Sequence, residues 1–317
     1  MSLDVSGTTV LITGGTGSFG STMVRRLLTR DVAEVRILSR DETKQDGLRR
    51  ALGDQRARFY LGDVRDRTSV DDAMRGVDLV FHAAALKQVP SCEFFPAQAI
   101  LTNVHGSANT IESAAEAGVR SVVCLSTDKT VYPINAMGMI KALMEKTAHA
   151  FARNNPGSAT TVSIVRYGNV MYSRGSVIPL FVEQVRAGRP LTLTDPTMTR
   201  FLMSLAESVD LVEYAFGHAS PGDLFVCKAP ASTVRDLAVA LAGLLGAEPE
   251  LRTIGTRHGE KLGETLLSRE EMANAEDRGG YFRVPLDPVA RLRALCRTRR
   301  PQSGRGRGLQ LPQRRAA

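Results

Sequence analysis

Apolar residues fall along the first half of the chain in short bare runs that alternate with segments of helical period, and this order predicts a β-α-β array. Thr8–Thr13, Glu34–Leu38, Arg58–Leu61, Leu79–His82, Ser121–Leu125 and Val162–Arg166 read as strands. Ser18–Leu28, Asp41–Leu52, Ser69–Met74, Pro96–Ala117 and Met139–Arg153 read as the helices between them. Strands that are apolar on both faces suit a parallel sheet covered by helices on each side. Beyond residue 167 the pattern loosens into Gly, Ser and Pro with shorter elements. Ser204 and Glu207 have capping-box spacing and predict a helix over Leu205–His218, followed by a strand at Asp223–Cys227 and a helix at Val234–Leu245. The expected architecture is a Rossmann-like, doubly wound α/β fold in three parts: a dinucleotide-binding domain over 1–167, a smaller substrate lobe over 168–287 with some elements returning to the sheet, and a tail over 288–317.

Charge changes the picture only at the end. The net charge is +8, yet residues 288–317 hold nine arginines, no lysine and no acid, so the preceding residues sum to about −1. The tail, rich in Arg, Gly, Pro and Gln, is expected to be disordered beyond about Thr298. It has no aromatic residues interleaved for stacking, which argues against nucleic-acid binding. No apolar stretch reaches the roughly 20 residues of a membrane span, and the start has no signal-peptide pattern, so the expected compartment is the cytoplasm with no membrane partner. Cys92, Cys124, Cys227 and Cys296 lack CxxC or CxxH spacing and read as buried free thiols; no metal site is expected.

Gly14-Gly15-Thr16-Gly17-Ser18-Phe19-Gly20 follows a strand and opens a helix. Glycines 14, 17 and 20 allow a tight turn and close backbone approach to a pyrophosphate at a helix N-terminus. The second strand ends in Ser39-Arg40 where an acid for a ribose 2′-hydroxyl is usual. Arg40, helped by Lys44, favours the 2′-phosphate of NADP; a solvated charge run is the alternative. Asp63 and Val64 suit the adenine edge, and Ala83, Ala84 and Ala85 are small where a strand end passes the cofactor.

Ser126-Thr127-Asp128-Lys129 ends the fifth strand, and Lys141 follows four residues after Met137. With the blocks GGTGSFG, SRDETKQ, GDVRD, HAAALKQVPSCEF, LSTDKTVYPINAMGMIK, RYGNVMYSRGSVIPLF, LTDPTMTRF and GTRHGEKLGE, the chain resembles the extended short-chain dehydrogenase/reductase superfamily. Within it, the likeness is to the inverting UDP-N-acetylglucosamine 4,6-dehydratases. The matching blocks span residue 11 to about 285.

The resemblance implies a tightly bound NADP recycled in place, a UDP-hexosamine substrate, and a role in polysaccharide or glycoconjugate biosynthesis. It implies Thr127 on the C4 oxygen, Asp128 as the acid for the departing C6 hydroxyl, and Lys129 as the C5 base, with a pKa depressed by Lys141. Met137 occupies the place of the superfamily's usual tyrosine, and a thioether carries no proton. Tyr132 is a conceivable substitute that fits better as a loop residue. Substrate contacts are implied for Lys87, Asn169, Arg174, Ser176 and Val177, with Arg200 and Glu260 closing on diphosphate and uridine. Structural roles are the alternative for each of these, as a strand-end hydroxyl is for Thr127 and a surface salt bridge for Asp128 and Lys129.

Departures from the family pattern are Ile140, Thr130, Tyr172 and Gly263, of which Ile140 and Tyr172 are expected to reshape the pocket, and the arginine-rich end, whose composition resembles a coding sequence read in another frame. A homo-oligomer, dimer or larger, is expected through Pro96–Ala117 and Met139–Arg153. Competing functions are a retaining dehydratase or a 4-epimerase of a UDP-sugar, and a non-catalytic NADP-binding regulator that lost its base at Met137.

Overall fold

The computed structural model describes residues 4–286. In chain order its first half runs β1 (Thr9–Thr13), α1 (Ser18–Leu28), β2 (Glu34–Ser39), α2 (Glu42–Leu52), β3 (Ala57–Leu61), α3 (Arg67–Met74) and β4 (Leu79–His82). Then come α4 (Val89–Phe94), α5 (Pro96–Ile100), α6 (Gly106–Glu116), β5 (Ser121–Leu125), α7 (Ala136–Asn154) and β6 (Thr161–Arg166). The second half supplies β7 (Asn169–Val170), α8 (Val177–Arg186), β8 (Leu191–Leu193), β9 (Thr199–Met203), α9 (Leu205–His218) and β10 (Leu224–Cys227). It closes with β11 (Ala231–Thr233), α10 (Val234–Leu244), β12 (Leu251–Thr253), α11 (Arg269–Ala273), β13 (Glu276–Asp277) and β14 (Tyr281–Val284).

The main sheet has the order β3-β2-β1-β4-β5-β6-β10-β14-β13. The seven strands from β3 to β10 pair in parallel, and β14 and β13 add antiparallel at the far edge. The chain leaves β1 in both directions, so β1 and β4 flank the switch point where doubly wound sheets bind ligands. One face is covered by α1 and α9, whose Met23, Val24, Leu27, Val209 and Val212 pack on Ile12, Ile37 and Phe81. On the other, Val70, Ile111, Ala114, Met144 and Ala148 of α3, α6 and α7 pack on Leu11, Val80 and Val122. A small separate core of Phe181, Leu191, Leu193, Ala238 and Ala242 joins α8, β8 and α10.

Three expectations change. The span 96–117 is not one helix: a wide π-type turn over Leu101–His105 separates α5 from α6. Gly106 resumes the helix against Val64, where a Cβ would lie 2.6 Å from Val64 Cγ2. The helix expected from Met139 begins at Ala136 instead, because the Asn135 side chain accepts from Gly138 N and caps it. Of the cysteines, Cys92 and Cys124 are buried free thiols, but Cys227 is half-buried at the end of β10. Cys296 and the arginine-rich tail lie outside the described residues. Among the described residues, no helix is long and apolar enough to cross a membrane.

Candidate functional site

The carboxyl ends of β1, β2, β4, β5 and β6 open onto a cavity of about 720 Å³. Its wall carries Gly14, Thr16, Gly17, Ser18, Phe19 and Gly20 from the glycine-rich turn, and Ser39, Arg40 and Lys44 from the end of β2 and the start of α2. Asp63, Val64, Ala83, Ala84, Ala85 and Lys87 follow from the next two strand ends. Thr127 and Lys129 come from the segment after β5, Met137 and Lys141 from α7, Asn169 from β7, and Arg174 and Ser176 from the loop that follows it.

The turn is built for close approach. Gly14 has φ of +68°, and a Cβ there would stand 2.8 Å from the Ala84 backbone, so the turn and the end of β4 touch. A Cβ on Gly20 would meet Gly14 O at 2.6 Å, whereas one on Gly17 would meet only Gly14 O, at 3.3 Å. Packing therefore explains the first and third glycines. The second, at the α1 N-cap, leaves its free space facing a helix start with no side-chain cap and no acid in its first turn. Unsatisfied N–H groups at that end suit a phosphate. These residues fit a dinucleotide.

At the β2 end, Thr16 and Ser39 share a hydroxyl hydrogen bond of 2.9 Å, and Arg40 stands 3.5 Å from Asp63. Asp41 is engaged at the start of α2, accepting from Lys44 N and paired with Lys44 Nζ, so no free acid occupies the strand end. His82 is wholly buried between the hydroxyls of Thr13 and Ser107, each at 2.8 Å, and burial brings its pKa down to about 3. It pins β1 to β4 and α6 as a neutral ring.

At the β5 end, Thr127 is extended and a short 3₁₀ turn covers Asp128–Thr130. Asp128 N donates to Tyr167 O, and the carboxylate is fully buried and absent from the cavity wall. Thr127 Oγ1 and Lys129 Nζ both donate to Asp128 Oδ1, at 2.8 and 3.0 Å. Asp128, the residue implied as the acid at C6, is thus wholly buried and meets the cavity through its neighbours Thr127 and Lys129.

The other charge near Lys129 is also not the expected one. Its Nζ lies 3.5 Å from Glu264, whose side chain is 3% exposed, while Lys141 Nζ donates to Leu125 O at 2.7 Å. Lys141 is 6% exposed, and burial brings its pKa down to about 8. Lys141 therefore burdens the fold below about pH 8, where it is buried and charged. That burden fades as pH rises towards the ordinary 10.5. Lys141→Met is expected to stabilise the protein at pH 7 by up to about 3 kcal/mol. Denaturant titration should show the gap closing between pH 8 and 10.5.

Asn169 Oδ1 and Ser176 Oγ are buried on residues of the wall, with no hydrogen-bond partner among the described residues. Such groups are costly unless something else satisfies them. Lys87 Nζ donates to Arg174 O at 2.9 Å, and its pKa is held down by burial and by the Arg174 charge. Arg174 N donates to Ser18 Oγ, so the loop lies over the start of α1.

Besides Asp128, three expected residues are not brought to this wall. Val177 opens α8 and packs on the small core of Phe181, Leu191, Leu193, Ala238 and Ala242. Arg200 spends its guanidinium on Thr199 O, Leu262 O and Met198 Sδ, and Glu260 accepts from Arg257 N to close its own turn. Ile140 is buried beside Cys92, Ala99 and Met137, and Tyr172 is 60% exposed; neither reaches the wall. Tyr132 is an exposed loop residue whose hydroxyl accepts from Arg269 N. The residues missed are Glu264, four positions beyond Glu260, and Tyr167, whose ring stacks on Phe19 at 5.4 Å. Among the described residues no group of His, Cys, Asp and Glu side chains is placed to hold a metal.

A protein from Rickettsia felis named UDP-glucose 4-epimerase is 58% identical over 283 residues, covering 88% of this chain and 83% of its own. Among solved structures, Pen from Bacillus thuringiensis superposes with a TM-score of 0.86 at 34% identity, covering 90% of this chain and 89% of its own. The dTDP-glucose 4,6-dehydratase DesIV from Streptomyces venezuelae, solved with NAD bound, gives 0.75 at 26% identity, covering 92% and 97%. The model of the family described as polysaccharide biosynthesis protein matches residues 10–286, and with this fold and these relatives the chain belongs to that family, on the extended short-chain dehydrogenase/reductase scaffold.

Proposed function

We propose that this protein is an NADP-dependent, C5-inverting UDP-N-acetylglucosamine 4,6-dehydratase. The observation that carries the reading is the Asp128–Lys129 pair beside Thr127, with Thr127 and Lys129 on the wall of the cavity that holds the glycine-rich turn. Dehydration removes the C5 proton and protonates the departing C6 hydroxyl, whereas 4-epimerisation touches neither carbon, so a base at C5 and an acid at C6 have work only in the first.

The glycine-rich turn, Ser39, Arg40, Lys44, Asp63, Val64, Ala83–Ala85 and Lys141 would hold the dinucleotide. When bound, it supplies a hydride acceptor for C4 that is discharged again within the same cycle. Thr127 holds the C4 oxygen. A ketone at C4 makes the C5 proton acidic, and Lys129 takes it. The C6 oxygen leaves as water with a proton drawn from Asp128. Asn169 and Ser176 offer unsatisfied polar groups to the nucleotide-sugar, and Lys87 and Arg174 offer positive charge to its diphosphate. Oxidation and reduction cancel, so the cofactor has no need to leave.

The name carried by the Rickettsia relatives favours a second reading, a UDP-glucose 4-epimerase. Proton NMR of UDP-N-acetylglucosamine incubated in deuterated buffer separates the two. A C6 methyl with deuterium at C5 is the dehydratase result, and the coupling constants report the C5 configuration. A C4 epimer with C6 unchanged is the epimerase result and would overturn the proposal.

Arg40 carries the cofactor preference. Arg40→Ala is expected to weaken NADP binding about tenfold or more and leave NAD unchanged in calorimetry. The protein assembles, in this reading, as at least a dimer through the α5 and α7 region, where Phe94, Phe95, Leu101, Met139 and Leu143 are exposed. A monomer in light scattering would overturn that assembly.

A further inference from the structure

Oxidation at C4 needs a group to take the hydroxyl proton, and Met137, on the cavity wall, offers none. Thr127 and Asp128 are arranged differently from a plain hydroxyl and a plain acid. Asp128 is fully buried, and it meets cavity-wall side chains through one oxygen: Thr127 Oγ1 at 2.8 Å and Lys129 Nζ at 3.0 Å both donate to Oδ1. Its other oxygen, Oδ2, is buried with no hydrogen-bond partner among the described residues, so no donor on that side opposes protonation of the carboxylate. The further charges around this pair are Glu264, 3.5 Å from Lys129 Nζ, and Lys261, 3.6 Å from Glu264, with Lys261 Nζ also donating to Val131 O.

We propose that Thr127 and Asp128 together replace the missing phenol: the C4 hydroxyl proton passes to Thr127 Oγ1 while Thr127's own proton moves to Asp128 Oδ1. This rests on the reading above only insofar as a C4 hydroxyl is oxidised, which dehydratase and epimerase share. The balance closes. As the C4–H bond breaks, its electron pair would go as hydride to a bound nicotinamide, the O–H proton goes to Asp128 through Thr127, and C4=O forms. In the dehydratase cycle the stored proton is handed on through Lys129 Nζ to the C6 oxygen as the C6–O bond breaks and C5=C6 forms. It leaves in the water; a bound cofactor would return its hydride to C6 while C5 takes a proton from solvent, and Lys129 gives the proton it took from C5 back to solvent. Asp128 ends each cycle ionised, as it began. The acid needed at C6 is thus loaded by the first step instead of being drawn from solvent.

The test is single-turnover rapid quench with UDP-N-acetylglucosamine from pH 6 to 9, on wild type, Thr127→Ser, Thr127→Val and Asp128→Asn. Thr127→Ser keeps the hydroxyl and should stay within about threefold of wild type. Thr127→Val and Asp128→Asn should each lose about a thousandfold at pH 7. Their residual rates should climb more steeply with pH than wild type, as hydroxide takes the C4 proton directly. Adding Met137→Tyr to Thr127→Val should restore much of the loss, because a phenol then stands four residues before Lys141. A Thr127→Val deficit that is equal at every pH and unrelieved by Met137→Tyr would overturn the relay and leave Thr127 as a positioning residue. A C4 epimer as the only wild-type product, with the same pH signature in the variants, would support the relay and overturn only the dehydratase reading. A wild type that turns over neither C4 nor C6 would overturn both.

Discussion

Lys129→Gln is expected to lower dehydration of UDP-N-acetylglucosamine by about a thousandfold or more, and C5 proton exchange by the same factor. The amide still donates to Asp128 Oδ1, so the buried carboxylate keeps a partner and the fold is spared, but an amide takes no proton at neutral pH. Thr127, Asn169 and Ser176 are untouched, which leaves the KM for the sugar nucleotide within a few-fold. The split is the diagnostic: a catalytic base lost through Lys129 lowers kcat and kcat/KM together. Mass spectrometry of substrate recovered from deuterated buffer gives the C5 exchange directly. Exchange at the wild-type rate in the Lys129→Gln variant would move the C5 base elsewhere, with Glu264 the nearest carboxylate after Asp128 to that ammonium.

The same residues show what the sequence made legible and where it stopped. Bare apolar strands read through to the parallel sheet because burial on both faces removes the polar half of the pattern, and the strand order around β1 follows from it. Ser18–Leu28 and Leu205–His218 came out at their ends, the second through the Ser204–Glu207 capping box. The antiparallel edge of β14 and β13, the turn at Leu101–His105 and the start of α7 did not, since each depends on a partner distant in the chain or on a cap without its own periodicity. Most of the expected site residues line one cavity because glycine-rich turns and strand ends are local features. Glu264 is far from Lys129 in the chain and meets it only in the folded structure, so no spacing rule announces it. Arg200 and Glu260 stand off the wall for the opposite reason: nearby backbone groups hold their side chains.

Arg166→Met should destabilise the protein by about 3–5 kcal/mol, the cost of leaving buried charge unpaired. Arg166 is 2% exposed at the end of β6 and pairs on one side with Glu145, from 2.6 Å, and on the other with Glu271, from 2.8 Å. Removing it leaves two carboxylates facing each other where the guanidinium had neutralised both. The pH dependence follows from the sign. Arg166 holds the Glu271 pKa down against the opposing effect of burial, so the wild-type contribution is full above the ordinary Glu value of 4.5 and is lost as pH falls through the lowered one. In the variant the unpaired carboxylates gain by protonation, so the gap between the two proteins should narrow as pH drops below that value. Denaturant midpoints at pH 4 and 7 check this. Glu145 extends the consequence to the segment proposed to handle protons: Ser126 Oγ and Thr130 Oγ1, on either side of Thr127–Lys129, both donate to its Oε1. A variant that folds at about 10 °C yet turns over slowly, with the loss in kcat and not in KM, would show that the buried triad holds the proton-handling loop in place as well as the sheet. Full turnover in the folded fraction would confine Arg166 to stability alone.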